Sequence, residues 1–187
     1  MTQRSCLDRH AAEKQRKGNI MTYVSIILKN IESAIAELEA APDNEYANGF
    51  DSSRMCIRNG HKVFRMNAIY KDFEIFDWFT DTLSLFRLKQ MRSFLREAER
   101  LGFSGYTTFK VGCSGTAHGM WAYKNESTNG YSPEGDCIFH SFRPDYNYWD
   151  VKLNGGWMCD RIGKDKLTLR EIRAAVSKAG NKETDTV

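Results

Sequence analysis

Hydrophobic positions recur at helical spacing in three stretches of the chain. Between Thr22 and Ala40, the residues Val24, Ile27, Leu28, Ile31, Ile35 and Leu38 fall at intervals of three and four. This spacing predicts a helix that Thr22 can cap, and Pro42, Asp43 and Asn44 stop it. A longer helix is expected from about Thr82 or Ser84 to Leu101. Leu85, Leu88, Met91, Leu95, Ala98 and Leu101 line one face with Phe94 beside them, and Arg87, Lys89, Arg92, Arg96 and Arg100 occupy the other sides. Gly102 is placed to close it. The third helix carries the sharpest local signal. Thr168 stands three residues before Glu171 as a capping box, with Leu167 and Ile172 positioned as a hydrophobic staple. It is expected to run to Ala179 and to end at Gly180.

Elsewhere the period shortens to two. Arg54–Arg58 and His61–Met66 flank Asn59-Gly60, a pair suited to the positive φ values of a tight hairpin turn. Four further strands are predicted at Tyr106–Val111, Gly119–Lys124, Asp136–Phe142 and Tyr146–Leu153, separated by Gly, Ser, Asn and Pro. Trp157 and Met158 extend the fourth as a small hairpin past Asn154-Gly155-Gly156. The expected fold is α+β: an antiparallel four-stranded sheet packed with the long amphipathic helix and flanked by N- and C-terminal helices. Residues 21–187 make one domain.

Charge changes the picture at the N-terminus. Residues 1–20 carry Arg4, Arg9, Lys14, Arg16 and Lys17 against Asp8 and Glu13. The rest of the chain is left with 22 basic and 22 acidic residues. The folded body is therefore neutral, so the basic pI of the whole chain is only weak evidence for nucleic acid as a partner. Arg16-Lys17-Gly18 can be encoded as AGG-AAA-GGA, a string like a bacterial ribosome-binding site ahead of Met21. Residues 1–20 are thus expected to be a disordered or non-native leader. Five cysteines at 6, 56, 113, 137 and 159, with no Cys-x-x-Cys, read as reduced thiols of a cytoplasmic protein. Apolar runs are too short to cross a bilayer.

Two local concentrations of charge remain. No Lys or Arg occurs between Lys29 and Arg54, while Glu32, Glu37, Glu39, Asp43, Glu45 and Asp51 do. This stretch reads as a solvated face or as an anionic surface for a basic groove, with Glu37, Glu39 and Asp43 its contact residues. Conversely, Arg54, Arg58, Lys62, Arg65 and Lys71 have no acidic residue among them. They make a basic ribbon, read as a charge-protected edge or as a phosphate contact.

Chemical constellations are sparse. Cys113-x4-His118 and Cys137-x2-His140 supply the ligand types of structural zinc. Strand alternation, however, sends Cys137 and His140 to opposite faces. Cys113, flanked by Gly112 and Ser114-Gly115, has His118 or His140 as a conceivable base and Asp136 or Asp150 to orient it. The elbow spacing of such nucleophiles is absent. No phosphate-binding glycine motif occurs. No catalytic residue, cofactor or metal is assigned.

Aromatic residues concentrate where chemistry does not. Residues 106–157 hold 11 of the chain's 23 aromatics, more than one sheet face needs for a core. Tyr106, Trp121, Tyr123, Tyr131, Tyr146, Tyr148, Trp149 and Trp157 are in excess. Tyr146 and Tyr148 share one face and Trp149 takes the other. Outward Tyr and Trp are the residue types of interface hot spots and also stack on unpaired bases. Trp121, Tyr123, Tyr146, Tyr148 and Trp149 are the candidate partner-binding rings. Arg54, Arg58, Lys62 and Arg65 are the candidate nucleic-acid contacts.

The run Leu83-Ser-Leu-Phe-Arg-Leu-Lys-Gln-Met-Arg-Ser-Phe-Leu95 leads into Gly105-Tyr-Thr-Thr-Phe-Lys-Val111 and Gly119-Met-Trp-Ala-Tyr-Lys124. In this arrangement of helix and aromatic meander the chain resembles the anti-CRISPR proteins of phages and mobile elements that inhibit Cas9. The resemblance covers about half the chain and carries over no functional residue. It implies a non-enzymatic inhibitor that binds a Cas9-type nuclease, its guide complex or its DNA. The alternatives are a nucleic-acid-binding regulator using the basic hairpin and helix and, more remotely, a cysteine-dependent enzyme.

Overall fold

A computed structural model describes residues 22–41, 54–71, 82–111, 117–125, 135–143 and 145–184. Two helices form the spine. Helix α1 (Tyr23–Ala40) begins where the Ser25 amide donates to Thr22 Oγ1 at 3.2 Å, the expected cap. Every apolar stripe residue from Val24 to Leu38 is buried. After α1 come strands β1 (Met55–Arg58) and β2 (His61–Arg65), the short helix α2 (Met66–Ile69) and strand β3 (Thr82–Ser84). The hairpin turn takes φ 51° at Asn59 and 75° at Gly60, the left-handed pair that its sequence calls for. Strand β3 pairs with β2 and completes a three-stranded sheet.

Helix α3 (Leu85–Arg100) starts on Ser84, whose hydroxyl accepts from the Arg87 amide. It closes by a Schellman motif: the Phe103 amide donates to Ala98 O at 2.9 Å and the Gly102 amide to Glu99 O at 3.0 Å, with Gly102 at φ 83°. Glu32 of α1 meets Arg96, and Glu39 meets Lys89. As one number rises the other falls, so the helices run antiparallel.

The main sheet is an antiparallel meander, β4 (Thr107–Val111), β5 (Ala117–Tyr123), β6 (Cys137–Ser141), β7 (Trp149–Leu153) and the two-residue β8 (Gly156–Trp157). The four expected strands are present, and the hairpin past Asn154-Gly155 adds the fifth. Residues 145–148 precede the strand rather than belonging to it. Helix α4 (Met158–Ile162), which the sequence pattern did not predict, follows at once. Helix α5 (Leu169–Thr184) opens on the predicted capping box. There the Thr168 amide donates to Glu171 Oε2 at 2.8 Å and the Glu171 amide to Thr168 Oγ1 at 3.3 Å. It continues through Gly180, which takes no positive φ, instead of ending there.

Alternation sorts the meander into two faces. Cross-strand sets Met120–His140–Trp149 and Ala122–Ile138–Val151 share the inner one. Met120, Ala122, Ile138 and Val151 are fully buried in one cluster with Phe94, Leu95 and Ile27 from the helix pair. At about 1.5–3 kcal/mol for each large apolar side chain removed from water, this layer is a substantial stabilising contact of the fold. The opposite face is the subject of the next section. Among the described residues, no helix is long and apolar enough to cross a membrane.

Candidate functional site

On the outer face, Trp121 of β5 pairs across to Phe139 of β6, and Phe139 to Asp150 of β7. The rings of Trp121 and Phe139 lie 4.3 Å apart, those of Phe139 and Tyr148 5.4 Å, and those of Tyr148 and Tyr146 4.6 Å. Four aromatics thus form one unbroken file across two strands and the segment that leads into β7. None of them belongs to the core cluster. Exposure varies along the file: Trp121 and Tyr148 are half-buried on either side of the buried Phe139, and Tyr146 at the end is 45% exposed. A glycine makes the centre possible. A Cβ on Gly119 would stand 2.6 Å from the Phe139 ring and 2.5 Å from His140 O, so only glycine lets that ring lie across β5.

Around the file the outer face is polar. Burial raises the hydroxyl pKa of Tyr148 and of Tyr123, so both stay as neutral hydrogen-bonding groups. The Tyr146 hydroxyl donates to Asp165 O at 3.2 Å. Asp150 is buried, and its Oδ1 accepts from the amides of Val151 (2.7 Å) and Cys159 (3.2 Å). It therefore anchors the start of α4 rather than facing solvent. Trp157 sits opposite Lys152 at the β8 edge, half-buried. The arrangement presents large rings with satisfied polar groups between them. It suits docking; no described carboxylate, thiol or imidazole stands ready on it for proton transfer or attack.

The candidate rings separate. Trp121, Tyr146 and Tyr148 come together in the file. Tyr123 stands beside Tyr106, ring centres 6.1 Å apart, and Tyr106 beside Tyr23 of α1 at 5.1 Å. Trp149 lies on the inner face. It stacks on His140 at 4.1 Å and 9° and on Phe94 at 5.6 Å, and it is not part of the outer surface. The period-two alternation that parts it from Tyr148 is the cause. Tyr131 lies outside the described residues. Phe139, the hub of the file, was not singled out in the sequence. Its role depends on being opposite Trp121 and over Gly119, neither of which a linear pattern reveals.

The candidate charged residues are largely engaged within the molecule. Glu37 accepts a bidentate pair from Arg54 at 2.7 and 3.1 Å, and the same guanidinium lies 5.4 Å from the Phe64 ring centre. Glu39 pairs with Lys89 at 2.7 Å and Glu32 with Arg96 at 2.6 Å. Lys62 donates to Ala41 O. Arg58 is exposed at the hairpin tip, and Arg65 is half-buried at the end of β2. The acidic end of α1 and the basic side of α3 therefore neutralise each other, and neither is the free charged surface that composition suggests. Asp43 lies outside the described residues.

The zinc candidate is divided as alternation requires, with Cys137 on the outer face and His140 on the inner. Among the described residues no group of three or more His, Cys, Asp or Glu could hold a metal. Cys113 and His118 lie outside what the structure describes of side chains. Burial pushes the thiols of Cys137 and Cys159 up to about 11, the reverse of an activated nucleophile. Burial lowers the His140 pKa, against the opposing hydrogen bond that its Nε2–H donates to Asn147 Oδ1, so the imidazole is neutral in its aromatic stack. No known protein family, curated protein or solved structure matches the chain.

Proposed function

We propose that the protein acts without chemistry of its own, by docking the outer face of its five-stranded sheet onto a protein and occluding it. The single observation that carries this reading is the file Trp121–Phe139–Tyr148–Tyr146, continuous by ring contact and outside the main core cluster. Rings of this kind are the usual centres of binding energy at protein interfaces. The resemblance in arrangement to anti-CRISPR proteins makes the partner a Cas9-type nuclease or its guide complex, met in the cytoplasm, and the outcome inhibition of cleavage.

Charge favours a protein over nucleic acid. Phosphate binding draws on unpaired Lys and Arg, whereas Arg54, Lys89 and Arg96 already hold carboxylates. The test combines two titrations. Guide-loaded Cas9 is titrated with the protein while cleavage of target DNA is followed, and random duplex DNA is titrated at 50 and 200 mM salt. The proposal expects cleavage to stop near stoichiometric protein, and weak DNA binding with a shallow salt slope. Undiminished cleavage removes the named partner. Tight DNA binding that falls about a thousandfold between the two salts overturns protein docking in favour of a nucleic-acid regulator.

A further inference from the structure

The two nitrogens of His140 have unequal surroundings. Its ring stacks on Trp149 at 4.1 Å and 9°, meets Phe142 edge-on at 5.0 Å and lies 6.4 Å from Phe94. Nε2 stands 2.8 Å from Asn147 Oδ1. That oxygen can only accept, so the proton of the neutral ring sits on Nε2. Nδ1 is then a bare acceptor, buried and without a hydrogen-bond partner, an uncommon condition for a polar atom inside a fold. The bond at Nε2 reaches from the inner face to the segment that carries the outer rings, because Asn147 lies between Tyr146 and Tyr148. Two further bonds hold that segment. The Ser141 amide donates to Tyr148 O at 2.9 Å, and the Tyr146 hydroxyl donates to Asp165 O at 3.2 Å. Of these three ties, the one to His140 is made by a group that titrates near neutral pH.

We propose that His140 is a pH-operated latch on residues 145–148. Neutral, it holds Asn147 and so seats Tyr146 and Tyr148; protonated, its ring leaves the stack and the segment is released. The second proton has one place to go, Nδ1, where neither an acceptor nor solvent meets it. Nothing beside the ring offsets the new charge. Gln90, Ser93 and Lys89 of α3 line the cavity next to it, with no carboxylate among the lining residues. The charged groups that face it from α3 are both cations: Lys89, held by Glu39, and Arg87, whose guanidinium lies 5.4 Å from the Phe142 ring centre. Strands β5 and β7 contribute the uncharged Met120 and Trp149. Arg143 and Asp145, in the segment itself, pair with each other at 2.7 Å. The Asn147 bond favours the cation, as does the face of Trp149, and loss of water outweighs them. The closed latch therefore prefers the neutral ring. It is at full strength above the ordinary histidine value of 6.5 and weakens as pH falls below it.

NMR titration of the isolated protein between pH 8 and pH 4 tests the proposal, with far-UV circular dichroism confirming that the fold persists. The His140 Cε1 proton is expected to titrate with a midpoint below 6.5, and the amides of Tyr146, Asn147 and Tyr148 are expected to move with that same midpoint. His140→Gln keeps a donor and takes no proton, so its amides at 146–148 are expected to lose the transition. A His140 midpoint at or above 6.5, a His140 titration that leaves residues 146–148 unmoved, or a folded His140→Gln protein that keeps the transition overturns the latch. The first two results are read on the wild-type chain and do not depend on the variant. All of these readouts concern the chain alone, so the inference stands apart from what the outer face binds.

Discussion

Replacing Glu97 by Gln isolates the polar clamp that holds the C-terminal helix to the spine. Glu97 accepts from Arg173 of α5 at 2.9 and 3.0 Å and from Arg100 of its own helix at 2.5 and 3.2 Å. Its side chain is only 11% exposed. The Arg173 and Arg100 hydrogen bonds pull its pKa from 4.5 to about 2, against a smaller desolvation effect. Two and a half units correspond to an upper bound of about 3.4 kcal/mol. Both guanidinium groups are half exposed, so solvent screening reduces this to roughly 1–2 kcal/mol. Because the folded pKa lies below the ordinary value, that stabilisation is complete above about pH 5 and is lost as pH falls towards 2. Glu171, held down by Lys164 and Thr168, titrates in the same window. Urea denaturation at pH 7 and pH 3 separates the two carboxylates. Glu97→Gln is expected to be less stable than wild type by roughly 1–2 kcal/mol at pH 7 and to show a smaller drop between the two pH values. Equal stability at pH 7 with an unchanged drop on acidification would refute the clamp.

Two further predictions concern backbone approach and thiol chemistry. A Cβ at Gly105 would stand 2.1 Å from the Asn125 carbonyl oxygen. Gly105→Ala must therefore part the strand ends where the Gly105 amide donates to Tyr123 O at 2.9 Å, and a loss of several kcal/mol is expected in thermal or urea unfolding; a loss below about 0.5 kcal/mol, the size of an ordinary surface change, contradicts it. Cys137 and Cys159, buried and with thiols raised to about 11, are expected to alkylate at pH 8 far more slowly in the folded protein than after denaturation, measured by peptide mass mapping. Labelling of either at the rate of a free thiol contradicts the assignment.

Much of the fold was legible because it is written locally. The Thr168–Glu171 box, the Asn59-Gly60 turn and the Gly102 closure each depend on residues within a few positions of one another, and all three formed. What escaped was decided at long range. Strand β3 is three residues long and exists because β2 offers it an edge. Helix α4 is held at its start by Asp150, nine positions back from Cys159. The charge pattern misled for the same reason. Glu32 and Arg96 are 64 residues apart in sequence and 2.6 Å apart in space, so two surfaces that look charged in the chain cancel in the fold. The alternation of Tyr148 and Trp149 was readable, but which of the two faces outward depended on where α3 packs.

The central claim is that the outer aromatic file is where binding energy resides. The most direct measurement is the affinity of immobilised guide-loaded Cas9 for wild type and for Trp121→Ala and Tyr148→Ala, with Glu32→Gln as a control away from the file. Truncating a ring at the centre of an interface costs about 2 kcal/mol or more, which is a weakening of roughly thirtyfold. The account predicts that loss for the two ring variants, with the control unchanged. Wild-type affinity in folded Trp121→Ala and Tyr148→Ala proteins would contradict it.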